Sequence, residues 1–100
     1  MLNTVLSVNQ VPIRLTDERW AHITEEHCEL AGLLYEVLDT IATPERVMAG
    51  GSGEYLAVRA VSEGKYLVVV YRENVTDGFV ITAFLTSKIR SLDRRPQLWP

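Results

Sequence analysis

The sequence has few of the residues that small proteins use for crosslinks or membrane anchoring. Its single cysteine, Cys28, excludes an internal disulfide and favours a reducing compartment. The longest apolar run, residues 66–71, is far too short to cross a bilayer, and the first ten residues lack the basic and apolar regions of a secretory signal. We therefore expect a cytoplasmic chain without a membrane partner, and its length predicts one domain over residues 1–100.

Charge is unevenly distributed within a net charge of −3. Residues 1–45 carry two arginines against eight acids, whereas residues 46–100 carry eight basic residues against five acids. The overall acidity disfavours strong non-specific binding to nucleic acid. The basic second half is compatible with a local anion site, although a solvated helical face explains the asymmetry equally well.

The hydrophobic period changes halfway along the chain. Thr16 is a suitable N-cap for a helix over residues 17–31, and a second helix over residues 33–42 ends before Pro44. Alternating segments near residues 46–50, 54–61, 66–73 and 79–87 then predict four antiparallel strands, with hairpin turns at residues 62–65 and 76–78. We predict an α+β fold in which two N-terminal helices pack on a four-stranded antiparallel sheet.

The two ends of the chain are less patterned than its middle. Residues 11–15 predict a short strand that Pro12 confines to a sheet edge, and the first ten residues are either loose or form an edge strand. Residues 90–100 are basic and then proline-rich, which predicts an irregular tail. The core of the domain is therefore expected over about residues 11–89.

Both histidines lie in the first predicted helix. His22 and His27 are five residues apart, so on a helix they diverge by roughly 140° and do not form the zinc pair whose ligands are four residues apart. His27 falls on the apolar stripe that faces the sheet, and histidine is the side chain best suited to proton transfer near neutral pH. The alternatives are a core-edge His27 that hydrogen-bonds to a carbonyl and a surface His22. With only Glu26 one turn from His22, we predict no metal.

The predicted sheet offers complementary groups. Arg59 lies in mid-strand, and Thr82, Thr86 and Lys88 share one face of the last strand, opposite an apolar set that begins at Phe79. Depending on register, Tyr66 or Tyr71 joins that polar surface, although wetted β-strand threonines need no function. An imidazole, an arginine, hydroxyls and a lysine suit RNA cleavage without a metal. That reaction needs a base for the 2′-hydroxyl, an acid for the 5′-oxygen and cations for the phosphate.

Four motifs follow one another in an order that resembles a known group of nucleases. They are RLTDERWAHITEEH (14–27), EYLAVR (54–59), KYLVVVY (65–71) and DGFVITAFLTSK (77–88). They resemble the phage-associated nuclease families of the barnase–EndoU–colicin E5/D–RelE-like superfamily and, more distantly, BrnT-type toxins. The resemblance covers about residues 11–89. It implies a RelE/barnase-like fold, with two N-terminal helices on a curved antiparallel sheet, and metal-independent RNA cleavage without a cofactor.

The resemblance also implies residue roles. His27, with His22 as its companion, transfers protons, Arg59 stabilises the transition-state phosphate, and Thr86 and Lys88 bind the scissile phosphate. We expect His27, Arg59 and Thr86 to share one cleft between helix and sheet, with Tyr66, Tyr71 and Thr82 as candidate substrate-binding residues.

Two functional predictions follow. The first is an endoribonuclease of toxin–antitoxin or phage origin, with RNA as substrate and a protein antitoxin or a second copy as partner. The rival is a catalytically inactive member of the same fold that binds a protein. It is motivated by the net acidity and by the terminal Leu98-Trp99-Pro100, whose tryptophan has little core to reach unless a second copy docks it.

Overall fold

The computed structural model, which describes residues 2–100, contains a seven-stranded mixed sheet and three short α-helices. A single 3₁₀ turn, Cys28–Leu30, follows the first helix. The strands are β1 (Leu2–Leu6), β2 (Pro12–Thr16), β3 (Arg46–Ala49), β4 (Tyr55–Ser62), β5 (Lys65–Glu73), β6 (Gly78–Thr86) and β7 (Gln97–Trp99). The helices are α1 (Asp17–Glu26), α2 (Leu34–Ala42) and α3 (Ile89–Asp93).

The predicted fold class, two helices on a four-stranded antiparallel sheet, is wrong. The four predicted strands are present as β3 to β6, but they form the middle of a sheet whose strand order is β1-β2-β6-β5-β4-β3-β7. The sheet is mixed because β2 runs parallel to β6, while every other neighbouring pair is antiparallel. Strand periodicity identified the meander, but it does not specify which further segments pair with the edges of that meander.

The N-terminal hairpin explains one part of this difference. β1 pairs with β2 along its whole length, and β2 pairs in turn with β6 at Ile13 and Arg14. The prediction that residues 11–15 form an edge strand is therefore wrong. Pro12 is tolerated inside the sheet because it is the first residue of β2, one position before the parallel ladder begins.

Helix α1 begins as predicted and ends earlier. The Thr16 hydroxyl accepts the Arg19 N–H at 3.1 Å, which confirms the N-cap. The helix ends at Glu26, and His27 leaves the helical region as its C-cap, so the predicted extension to residue 31 is wrong. The 3₁₀ turn that follows carries Leu30 into the core instead. Helix α2 lies within one residue of its predicted range.

The two faces of the sheet are covered differently. Helices α1 and α2 pack on what we call the first face, and its fully buried side chains include Ile13, Leu67 and Tyr71. The second face has a smaller apolar cluster, which includes Val58, Val68 and Leu92 from the short α3. On the second face, Phe79, Thr82, Phe84 and Thr86 of β6 consequently remain at least partly exposed.

The predicted irregular tail is also wrong, because residues 89–99 fold back onto the sheet. Leu92 is buried on the second face, and β7 pairs with β3, where Trp99 lies opposite Val47. Trp99 is half-buried against the first-face core, so it is docked by its own chain. Among residues 2–100, no helix is long and apolar enough to cross a membrane.

Candidate functional site

Five of the eight sequence-predicted residues gather around Phe84 on the second face. Thr82 and Thr86 are the same-face neighbours of Phe84 along β6, and Thr86 pairs with Tyr66 across to β5. The Thr86 hydroxyl accepts the Lys88 N–H at 3.0 Å, and His27 lies against the Phe84 ring with the ring centroids 6.4 Å apart. We call His27, Tyr66, Thr82, Phe84, Thr86 and Lys88 the Phe84 cluster.

His27 reaches this cluster because β6 has a free edge. β2 pairs with β6 only at Gly78 and Phe79, and beyond that point α1 and the 3₁₀ turn lie beside β6. As the C-cap of α1, His27 is placed at this edge with its imidazole one-third exposed. Its Nδ1 is 3.5 Å from the Glu29 carboxylate. The ring is thus held between an acid and an aromatic side chain while it remains accessible to solvent.

A groove crosses the second face beside the Phe84 cluster. Its floor consists of Leu56, Val70 and Phe84, and it encloses about 250 Å³. Glycines of the β3–β4 loop, Glu54 and Arg95 form its walls. An apolar floor with an aromatic ring and a guanidinium above it is suited to a flat, charged ligand such as a nucleotide.

The glycine-rich β3–β4 loop keeps Glu54 folded back into the wall of this groove. The Glu54 carboxylate accepts the Ser52 N–H at 2.7 Å, and a side chain at Gly50 would collide with it. The hydrogen bond from the Ser52 backbone, followed by that from its own backbone N–H, lowers the pKa of Glu54, and the charges of Arg72 and Arg95 act in the same direction. Two guanidinium groups therefore reach the same loop.

Arg59 lies on the opposite face from the Phe84 cluster. It pairs with Leu67, which pairs in turn with Leu85, and both leucines belong to the first-face core. Its guanidinium donates to the Thr43 hydroxyl at 3.1 Å and lines a cavity of about 230 Å³ with Glu36 and Asp39. The expected single cleft containing His27, Arg59 and Thr86 does not form, because the sheet separates Arg59 from the other two.

The remaining two predicted residues are also elsewhere. Tyr71 is fully buried on the first face, where its ring stacks on Tyr55 with centroids 5.4 Å apart. Burial, with the nearby Glu73 charge, raises the pKa of Tyr71 above its usual range. His22 is exposed on α1 and lines a polar cavity with Arg19 and Glu26. Within residues 2–100, no three acidic, histidine or cysteine side chains are placed to hold a metal ion together.

The charge totals of the two halves of the chain do not show on which side of the sheet the charged residues lie. Residues 17–42, which form the helical layer, contain seven acids and one basic residue, Arg19. The second face instead carries Arg14, Arg72 and Arg95 beside its exposed apolar side chains. Net acidity therefore describes the helical layer and not the groove.

Sequence reasoning missed Phe84, Arg72 and Arg95. Strict alternation from Thr82 to Thr86 was a sufficient signal for Phe84, since the three share one face. Alternation along β5 likewise places Arg72 on the face of Val70, and its guanidinium extends to the β3–β4 loop. Arg95 had no local signal, because the folded-back tail brings it to the groove.

Comparison of the chain with protein-family models, with curated proteins and with solved structures found no match.

Proposed function

We propose that this protein is a metal-independent endoribonuclease whose active site is the Phe84 cluster together with the adjoining groove. The observation that carries the proposal is the contact of His27, an accessible imidazole, with Phe84 at the edge of a groove that also contains a guanidinium. The proposal requires no family fold and no metal.

The chemistry assigned to the cluster is intramolecular transfer. The 2′-hydroxyl oxygen attacks the adjacent phosphorus, the bond to the 5′-oxygen breaks, and a 2′,3′-cyclic phosphate forms. One proton leaves the 2′-hydroxyl and one is delivered to the departing 5′-oxygen. His27 performs one of these transfers, because an imidazole exchanges protons readily near neutral pH, and water exchanges the other proton, since the site is open to solvent.

Cations near the groove support the charged phosphate. Lys88 lies two residues from Thr86, and Arg95 lines the groove with Phe84. Guanidinium and ammonium groups at fixed positions stabilise the negative charge that builds up as the phosphorus becomes five-coordinate. We reassign this role from Arg59 to Lys88 and Arg95, since Arg59 lies on the first face and the sheet separates it from His27 and Phe84.

Two features of the whole molecule favour RNA binding at this site. The apolar floor of the groove offers a stacking surface for bases, and the acidic helical layer lies on the other side of the sheet. With this arrangement a chain of net negative charge can bind RNA, because its acids lie on the side of the sheet away from the groove.

The decisive experiment compares the two histidines. With purified protein, single-stranded RNA and excess EDTA, we expect His27→Ala to lower the cleavage rate by about a hundredfold or more. His22→Ala removes the same side chain from an exposed position outside the cluster and is expected to leave the rate unchanged. Intact RNA after incubation with folded wild-type protein, or equal losses in both variants, would contradict the proposal.

A second comparison tests the reassigned cation. Arg95→Ala is expected to slow cleavage, whereas Arg59→Ala is expected to have little effect on it. The opposite result would restore the arrangement predicted from the sequence. Induced expression in bacteria, with growth as the readout, gives an independent test in which His27→Ala should relieve any toxicity.

One of the two observations that favoured the rival role, a non-catalytic protein-binding module, no longer supports it. The terminal tryptophan that called for a second copy is packed against the first-face core of its own chain. Folded protein that neither binds nor cleaves RNA would favour the protein-binding module.

A further inference from the structure

Next to the groove lies an exposed aromatic side chain between two arginines. Phe79 on β6 is 46% exposed, although it is a large apolar residue in the interior of the sheet. It pairs with Arg14 on β2 and with Arg72 on β5, so the three side chains lie side by side on the second face. We call Arg14, Phe79 and Arg72 the Phe79 row.

The guanidinium groups in and around this row are at most weakly paired. Glu54 interacts with Arg72 at longer range, and Glu73 and Asp77 line a cavity with Arg72 and Phe79. Arg72 forms no ion pair among residues 2–100, and its guanidinium extends toward the β3–β4 loop at Gly53. Arg14 pairs with Asp77 at 3.2 Å, with both side chains half exposed, and such pairs are weak enough to exchange partners. Arg19 lines a cavity of about 320 Å³ with Arg14 and Phe79, which adds a third guanidinium.

We propose that the Phe79 row is a second nucleotide subsite, at which a base of single-stranded RNA stacks on Phe79 while Arg14 and Arg72 bind the neighbouring phosphates. The inference rests on the proposed function and extends it. Flanking cations with an exposed aromatic ring fit a strand in which bases and phosphates alternate. A paired duplex does not fit, because its bases are stacked on each other and unavailable to Phe79.

The subsite lies at a distance from the Phe84 cluster. Phe79 and Phe84 are five residues apart on β6, which corresponds to roughly 16 Å along a strand. A single nucleotide cannot span that distance. Substrates that reach both aromatic rings are therefore expected to bind better than those that reach only Phe84.

Binding without cleavage separates this inference from the proposed catalysis. The probe is a labelled hexamer of deoxythymidine, which has no 2′-hydroxyl and cannot be cleaved by the proposed route. In fluorescence anisotropy at low salt, we expect Phe79→Leu to weaken hexamer binding about tenfold, because leucine keeps the apolar bulk but not the stacking surface. Phe79→Trp should restore tight binding, and a deoxythymidine dimer should bind weakly to all three proteins.

The matched control is Tyr35→Leu, which removes an aromatic ring that is 73% exposed on α2. It is expected to leave hexamer binding unchanged. Equal binding by wild type and Phe79→Leu would overturn the subsite, as would an equal loss in Tyr35→Leu. Equal competition by a hexamer of glutamate would also overturn it, in favour of an acidic protein partner.

The two proposals can fail separately. Hexamer binding that depends on Phe79, together with intact RNA in the EDTA assay, would retain the subsite and reject the nuclease. RNA cleavage that depends on His27, together with hexamer binding that does not depend on Phe79, would support the nuclease and reject the subsite.

Discussion

The two faces of the sheet are formed by the same strands, but one face is enclosed and the other is partly open to solvent. On the first face, side chains from β2, β4, β5 and β6 are enclosed beneath α1 and α2, and the acids of those helices form the surface above them. On the second face, the short α3 covers one part, and an apolar, arginine-lined surface is left beside it. Alternate residues of the same strands therefore form the closed core on one face and, in our proposal, the ligand-binding surface on the other.

The largest expected difference between the faces is in the cost of a cavity. Leu67 is fully buried on the first face, whereas Leu56 is on the groove floor of the second. We expect Leu67→Ala to lower the free energy of unfolding by about 4 kcal/mol and Leu56→Ala by about 2 kcal/mol. The space left at Leu56 joins an open groove, while that at Leu67 is a closed void. Urea unfolding measures both, and equal losses would mean that the groove is closed in solution.

Two glycines, one in the sheet and one in the groove wall, are expected to differ in how well they tolerate a side chain. Gly78 lies where β2 joins β6, and a methyl group there would meet the Arg72 carbonyl oxygen and the Ile13 side chain. We expect Gly78→Ala to cost about 1–3 kcal/mol, because a backbone atom cannot rotate away. Gly51 in the groove wall is the control, since its nearest neighbour is the end of the Arg95 side chain at 4.0 Å. Comparable destabilisation by Gly51→Ala would show that the loop is as rigid as the core.

The first face also contains a tyrosine whose ionisation opposes folding. Among residues 2–100 the buried Tyr71 hydroxyl has no hydrogen-bond partner, and its pKa is raised by burial, by Glu73 and by Tyr55. Above about pH 10 the unfolded chain loses this proton and the folded chain retains it. The free energy of unfolding therefore falls as the pH rises, by up to about 1.4 kcal/mol per pH unit.

Tyr71→Phe is expected to remove that part of the alkaline loss. At neutral pH the same change should be neutral or stabilising by up to about 1 kcal/mol, since it deletes an unsatisfied buried group. Urea unfolding at pH 8 and pH 11 measures both effects, with the exposed Tyr35→Phe as control. An unchanged pH dependence in Tyr71→Phe would place the alkaline loss elsewhere.

The smallest expected effect concerns single charges. Asp77→Asn removes an acid beside Arg14 on the second face, and Glu36→Gln removes one from the helical layer. Both change the net charge equally, but only Asp77→Asn is expected to tighten binding of the deoxythymidine hexamer, by roughly twofold at low salt. Its effect on unfolding should stay below about 1 kcal/mol. Equal tightening by Glu36→Gln would show that net charge, and not its placement, governs binding.

Local patterns in the sequence predicted local structure well. The Thr16 cap, the end of α2 before Pro44 and the turn between Ser62 and Lys65 are formed by neighbours in the chain, and all are present. The ends of the sheet could not be found in this way. β1 and β7 are short, and each is a strand because of its partner, β2 or β3, and not because of its own alternation.

The site was predicted in part, for a similar reason. Alternation placed Thr82 and Thr86 together, and the histidine pattern placed His27 beside the sheet. However, the register between β5 and β6 shifts between Val70 and Tyr71, which adds a residue to β6 and turns Phe79 onto the same face as Thr82. The sequence predicted Phe79 on the opposite face, because strict alternation does not anticipate a bulge.

During synthesis, β2 leaves the ribosome well before its parallel partner, since Ile13 and Gly78 are 65 residues apart. Until β6 emerges, β2 has β1 as its strand neighbour and the hairpin of β1 and β2 has the helices α1 and α2 to pack on, but the parallel partner of β2 is missing. The Phe79 row and the free edge of β6 that receives His27 are completed in this late step. A growing chain, surrounded by messenger and ribosomal RNA, thus does not yet carry the surface that we propose binds RNA, and that surface is assembled only once β6 has joined the sheet.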